Sequence, residues 1–262
     1  MKTRVLSGLL MAPLLGIIYL GGYFLLAFVV LLSVVGLHEF NKGFNNMGIK
    51  PSTNIGIGAT AALYAFHQLM GGEANVYLPI WIVLVVIAVC LELLNVNKKR
   101  VEDVMATLIG IVYIVLFAYH MVLIDNLPDY SILIWLTLLS AFGTDTMAYF
   151  SGFLFGKHKL CPNLSPKKTI EGAIGGAIGS VIFTGLFGLF FAKDVIVHCI
   201  IIGIIGGVFS QFGDLTASAF KRKMGIKDFG NLIPGHGGVM DRVDSLIFIA
   251  PLVYYYITIV IM

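Results

Sequence analysis

Charge is what this chain has least of. Only 12% of its 262 residues are Asp, Glu, Lys or Arg, while 58% are hydrophobic, and mean hydropathy is +0.95. Soluble domains are about a quarter charged, so this scarcity excludes an ordinary soluble domain and leaves an integral membrane protein. Cysteine is also scarce. Cys90, Cys161 and Cys199 are scattered and show no disulfide or metal-ligand spacing, and Cys90 and Cys199 read as small apolar helix residues. No A-x-A-like site follows the first apolar run, and a second run begins almost at once, so the first is read as a retained helix rather than a signal peptide. Internal repeats and low-complexity linkers are missing. The run G-A-I-G-G-A lies in an apolar stretch with no strand before it, which argues against a nucleotide-binding glycine loop. No G-x-S-x-G elbow is present, which argues against a Ser-His-Asp hydrolase built on Ser218 and His236.

What is there in abundance is apolar sequence in lengths of ~20 residues, enough to cross a ~30 Å hydrocarbon core. About nine spans are expected, at roughly 5–20, 22–40, 53–70, 76–94, 104–123, 131–151, 170–191, 195–213 and 243–261. The fold class is therefore an all-α, polytopic transmembrane bundle. It is read as a single integral membrane domain over 1–262, with N-terminal helices to about 123 and catalytic helices and cytoplasmic loops from about 131. With nine spans, all but Lys193 of the 17 Lys/Arg fall on one side. Basic short loops mark the cytoplasm, so the amino terminus is expected inside and the carboxyl terminus outside. The pairs Gly172/Gly176, Gly175/Gly179 and Gly203/Gly207 are each four apart, a spacing that lets helix backbones approach closely in lipid.

The few polar residues are concentrated. Ser218 to Asp244 reads S-A-F-K-R-K-M-G-I-K-D-F-G-N-L-I-P-G-H-G-G-V-M-D-R-V-D, a composition that suits a polyanion together with a metal cation. Asp214 lies near the inner end of its span, where a carboxylate is costly unless paired or hydrated. If its helix continues, Ser218, Lys221 and Arg222 share its face, offering an acid for a metal, a hydroxyl and two cations for phosphate. Lys221-Arg222-Lys223 also reads as a positive-inside anchor. In the loop that follows, glycines allow successive N–H groups to converge on an anion. Lys227 adds a point charge there, and His236 reads as a phosphate ligand, a proton carrier or an ordinary loop residue. Asp241 and Asp244, three apart on a helix, could hold Mg²⁺ facing Asp214 and leave room for phosphate oxygens. They also read as an N-cap and a first-turn acid. Arg242 pairs with an acid or with phosphate.

A second cluster flanks the sixth span. Asp145 sits well inside an apolar run. The loop after it, G-K-H-K-L-C-P-N-L-S-P-K-K-T-I-E-G, is basic and turn-rich, with Thr169 just before a helix N-terminus that favours anions. The structural alternative makes Thr169 an N-cap and Lys157 and Lys159 surface anchors. Glu39 and Glu92, near inner helix ends, read as structural.

Together the two clusters resemble the phosphatidate cytidylyltransferase (CDP-diacylglycerol synthase) family. The resemblance rests on S-A-F-K-R-(four residues)-K-D-F-G-N-L-I-P-G-H-G-G-V-M-D-R-V-D and on D-T-M-A-Y-F-S-G-F-L-F-G-K-H-K-L-(four residues)-S-P-K-K-T-I-E-G. The chain departs from the family at Met147, where Gly is usual, and at Ile170, where Trp is usual. The resemblance implies that CTP and phosphatidic acid give CDP-diacylglycerol and pyrophosphate, in the cell membrane, at a site facing the cytoplasm. It implies Asp214 and Asp241 as Mg²⁺ ligands, with Asp244 a further ligand or a neighbour, and leaves room for a second cation. Ser218, Lys221, Arg222 and Lys227 would bind phosphates, with His236 and Arg242 also on the substrate. Ser165, Lys168 and Thr169 would hold the nucleotide or close over it, and Asp145 would orient Lys168 or Lys221. The glycine faces and the resemblance both point to a homodimer. Membrane lipid is an expected partner and nucleic acid is not. Two other readings compete. Intramembrane acids suit an ion pathway, but the polar residues gather at one end rather than at the midplane. A lipid kinase acting on a polyprenol would use similar phosphate and metal chemistry.

Overall fold

The computed structural model describes residues 14–71, 73–94, 98–232 and 237–262. Its described part is almost wholly helical. Seven helices are long and apolar enough to cross a membrane: α1 (Gly22–Asn45), α3 (Ala74–Leu94), α4 (Val101–Asp125), α5 (Ser131–Phe155), α6 (Ile170–Phe191), α7 (Lys193–Lys223) and α8 (Met240–Ile261). The expected third span is α2 (Thr53–Leu69), of 17 residues. At 1.5 Å per residue it is about 26 Å long, short of the ~30 Å core. Of the expected first span, residues 14–20 are described, and they are helical. α7 runs ten residues past the expected end of its span, so Asp214, Ser218 and Lys221 lie on one continuous helix.

The chain divides into two compact units. The first comprises residues 1–126 and 223–242 and has large apolar side chains at its centre: Leu25, Phe40, Leu63, Trp81 and Ile111 are all essentially inaccessible. Several of its buried polar groups are paired. The Trp81 indole N–H donates to the Ala59 carbonyl at 2.8 Å, and His67 Nδ1 lies 2.7 Å from the Tyr119 hydroxyl. The Gly21-Gly22 pair makes a tight connection into α1. Both residues have positive φ, 57° and 50°, a region open to glycine. The Asp125 carboxylate accepts the Gly22 N–H at 2.6 Å, at the start of α1.

The second unit comprises residues 127–222 and 243–262 and is built in the opposite way, from small residues. α6 buries Gly172, Gly176, Gly179, Ser180, Thr184 and Gly188 while Ile174, Ile178, Ile182, Leu186 and Leu189 are exposed. Large apolar groups outward and small groups inward is the arrangement a helix adopts when its solvent is lipid and association depends on close packing. The contacts show why glycine is needed. A Cβ at Gly176 would lie 2.9 Å from the Thr144 carbonyl on α5, and one at Gly179 would lie 2.7 Å from that of Gly143. At Gly207, on α7, a Cβ would lie 2.9 Å from Ala177 Cα on α6. The packing expected of these glycines is what they do.

Between α5 and α6 the basic loop is an antiparallel hairpin rather than irregular turns. β1 (Lys159–Cys161) pairs with β2 (Ser165–Thr169), Lys159 opposite Thr169 and Cys161 opposite Ser165. Glu171, in the first turn of α6, clamps its base by accepting the Lys157 N–H at 3.1 Å and pairing with the His158 ring at 2.6 Å.

Candidate active site

α5, α7, α8 and β2 each contribute ionisable groups to one region of the second unit. Lys168, on β2, forms an ion pair with Asp214, on α7, with both side chains partly exposed. Asp145, on α5, feels the charges of Asp214 and Lys168. Asp244, on α8, feels those of Asp214, Lys221 and Asp145. Three carboxylates and two lysines thus interact within one region. The cost of a carboxylate in an apolar helix is met by lysines and by accessible space. Asp145 is exposed, and together with Lys168, Gln211 and Asp214 it lines a cavity of about 430 Å³. That volume falls within the ~300–1,000 Å³ of small-molecule sites.

The neighbours are held less by the charges than by backbone. Ser218, one turn beyond Asp214, makes a long 3.5 Å hydrogen bond from its hydroxyl to Asp214 Oδ1. Thr169 is buried and caps α6, its Oγ1 accepting the Gly172 N–H at 3.1 Å, so the structural alternative for this residue holds even though it borders the cavity. Arg222 donates its Nε to the Leu164 carbonyl at the hairpin tip, 3.3 Å away, a tie that fixes the hairpin against α7. Ser165 pairs with Cys161 at the start of β2.

The remaining expected residues lie in the first unit, where the glycine-rich segment has a different character. Asp241 is the second residue of α8 rather than its N-cap. Its Oδ2 accepts the Phe229 N–H at 2.8 Å and the Gly238 N–H at 3.0 Å. Lys227 and Arg242 are exposed, and His236 lies outside the described residues. The Phe229 and Gly238 N–H groups and two further ones of the segment converge in pairs on anions, but those anions are the protein's own carboxylates. Glu39 takes the next two, from Val239 and Met240, at 3.0 and 2.9 Å.

Sequence reading missed three things here. The Lys168–Asp214 pair joins residues 46 positions apart through a hairpin, where the sequence predicts only a turn-rich loop. Gln211, one turn before Asp214 on α7, lines the cavity and donates its amide to the Ala173 carbonyl at 3.0 Å. Glu39 reads as structural from its place near an inner helix end, but its burial and its partners in the glycine-rich segment are not part of that reading. The spacing Gly36-x-x-Glu39-Phe40-x-x-Gly43, one helical face carrying an acid between two glycines, was the available signal.

Among the described residues no three His, Cys, Asp or Glu side chains could enclose a metal by themselves. Two interacting carboxylates, Asp214 and Asp244, with the Ser218 hydroxyl nearby, still fit a hard cation. Mg²⁺ is usually bound through one or two carboxylates, retained waters and substrate phosphates.

Comparison with known proteins gives one answer. A family model described as the cytidylyltransferase family matches residues 2–260. A phosphatidate cytidylyltransferase of Staphylococcus haemolyticus (strain JCSC1435) is 35% identical over 259 residues, covering 96% of this chain and 97% of that protein. That of Staphylococcus aureus (strain COL) is 33% identical over 266 residues, with 96% and 97% covered. That of Bacillus subtilis (strain 168) is 29% identical over 262 residues, with 97% of each covered.

Proposed function

The chain belongs to the cytidylyltransferase family; it transfers the cytidylyl group of CTP to phosphatidic acid, and we propose that it does so at the carboxylate–lysine cluster of the second unit. A phosphate oxygen of phosphatidic acid attacks the α-phosphorus of CTP, the bond to the β-phosphate oxygen breaks, and pyrophosphate leaves. CDP-diacylglycerol remains in the membrane for phospholipid synthesis. The observation that carries the assignment is the meeting of Lys168, Asp214 and Asp145 at a cavity in an otherwise apolar bundle, with Asp244 and Lys221 interacting with the same charges.

The residues suit the reaction. Two polyanions must approach each other, so positioning and charge neutralisation do most of the work, with no covalent help from the protein. Lys168 and Lys221 supply cationic charge to the phosphates. The Lys168–Asp214 pair keeps the lysine at the cavity before substrate enters, and an incoming phosphate exchanges for the carboxylate. Asp145 repels Asp214 and attracts Lys168, which biases Lys168 toward the cavity. Ser218, Arg222, Lys227, His236 and Arg242 are proposed as further substrate contacts, and Ser165 and Thr169 as the frame of the nucleotide side.

Asp214 and Asp244 would hold Mg²⁺, with Asp241, one helical turn before Asp244, as the third proposed ligand. Bound magnesium would neutralise phosphate charge and favour departure of pyrophosphate. The enzyme is proposed to be a homodimer in the plasma membrane with this cluster at the cytoplasmic side, where CTP is. The distribution of Lys and Arg supports that orientation.

The test is transfer of label from α-³²P-CTP to lipid by purified protein in detergent, given phosphatidic acid with and without Mg²⁺. Metal-dependent label in the lipid phase with release of pyrophosphate is expected. Label from γ-³²P-CTP in a polyprenol instead would assign a lipid kinase, and no transfer from either would reject the assignment.

A further inference from the structure

The glycine-rich segment that leads into α8 is closed around a carboxylate from the far end of the chain. Glu39, on α1, is buried, and its two oxygens accept the N–H groups of Val239 and Met240 at 3.0 and 2.9 Å. These are among the backbone donors that a helix N-terminus leaves unpaired and that favour an anion. Two glycines make room for it: a Cβ at Gly230 would lie 2.3 Å from Glu39 Oε1, and one at Gly238 would lie 2.4 Å from Oε2. The rest of the same α1 face supports the same segment. Phe40 packs on Phe229 with ring centroids 5.8 Å apart, and a Cβ at Gly43 would strike the Met224 sulfur at 2.5 Å.

Glu39 and Asp241 divide the segment's donors between them. Asp241 takes Phe229 and Gly238, and Glu39 takes Val239 and Met240. Successive N–H groups in such a segment commonly hold a phosphate. Here two protein carboxylates hold that position, so the described part of the segment is organised without substrate. We propose that Glu39 is a positioning residue: an internal anion that fixes the first turn of α8 and thereby the Asp241 carboxylate in its working orientation. This rests on the placement of Asp241 in the reaction given above. It follows that α1, which carries none of the family's signature, sets the turnover rate without touching substrate.

Glu39→Gln keeps size and one acceptor oxygen but turns an amide NH₂ toward a backbone N–H. The expected result is a fall in kcat of about 10–100-fold, the range for loss of a partner that orients a ligand. KM for CTP and phosphatidic acid should stay within about twofold, and the melting temperature near that of the wild type. Hydrogen exchange over residues 229–241 should quicken. A side chain that merely stabilised the fold would lower the melting temperature and leave kcat per folded enzyme unchanged. Wild-type kcat in Glu39→Gln, or a loss carried by KM alone, overturns the proposal. If that variant does not fold, Gly238→Ala decides, since its methyl must displace Oε2 while the carboxylate remains. The same kcat loss at unchanged KM supports positioning, and wild-type kinetics overturn it. If neither folds, Glu39 serves folding and the proposal fails. Wild-type turnover measured first in the same assay separates failure of this idea from failure of the assigned reaction.

Discussion

Two sets of carboxylates, one in each unit, find different kinds of partner. In the first unit four take backbone N–H groups: Asp103 from Lys50 and Arg100 at 2.6 and 3.0 Å, Asp125 from Gly22, Glu39 from Val239 and Met240, Asp241 from Phe229 and Gly238. In the second, Asp145, Asp214 and Asp244 interact with one another and with Lys168 and Lys221. Among the described residues a backbone N–H reaches one of these three, that of Ser245, 2.8 Å from Asp244. A carboxylate fixed by main chain has its geometry settled when the protein folds. One held by movable ammonium groups can exchange them for a substrate phosphate or a cation. On the proposed reading, main chain holds Asp103, Asp125 and Glu39 as structural acids, ammonium groups hold the exchangeable acids of the cluster, and Asp241 is a main-chain-held acid with a part in the reaction.

Substitutions can break or sharpen this contrast. Asp214→Asn removes the charge central to the cluster. Turnover should fall by about 10²–10³-fold, the scale for loss of one electrostatic contributor, while the melting temperature changes little. Steady-state rates beside a thermal unfolding curve check both. Asp241→Asn should abolish measurable turnover in protein that still folds and inserts; normal activity would remove Asp241 from the reaction and leave it as a loop tie alone. Lys168→Met should raise KM for CTP by about tenfold, roughly 1.4 kcal/mol of phosphate binding, as read from substrate titration. Asp103→Asn should do the reverse of Asp214→Asn. It should cost about 1–3 kcal/mol of stability through a buried donor left poorly paired, with kcat per folded molecule unchanged. Lys193→Ala, at an exposed position on the side opposite the cluster, should be nearly silent, within about 0.5 kcal/mol and without loss of turnover.

Much of this was legible in the sequence because lipid imposes simple rules. Apolar runs of span length marked the helices, and glycines four apart marked the close-packed faces of α6 and α7. The costly positions of Asp145 and Asp214 marked one site. The continuation of α7 past its apolar stretch was foreseen as the condition that puts Ser218 and Lys221 on the face of Asp214. What escaped were contacts that no local period encodes. The hairpin at 159–169 is short and polar, so its alternation carries no hydrophobic signal. Lys168 was read as a nucleotide contact, and its partner Asp214 depends on where that hairpin folds back. Glu39 meets its donors 200 positions away, and the reason for glycine at 230 and 238 becomes visible only once the carboxylate that fills their missing side chains is in place.

The most direct test compares Asp214→Asn with Asp103→Asn in one label-transfer assay, using purified protein, α-³²P-CTP, phosphatidic acid and Mg²⁺. Rates would be expressed per folded molecule from melting curves of the same samples. Loss of lipid label in Asp214→Asn at a near-wild-type melting temperature is predicted, with lipid label retained in Asp103→Asn at a lowered one. Wild-type label transfer by Asp214→Asn would contradict the account, because the reaction would then take place without the carboxylate around which the cluster is built.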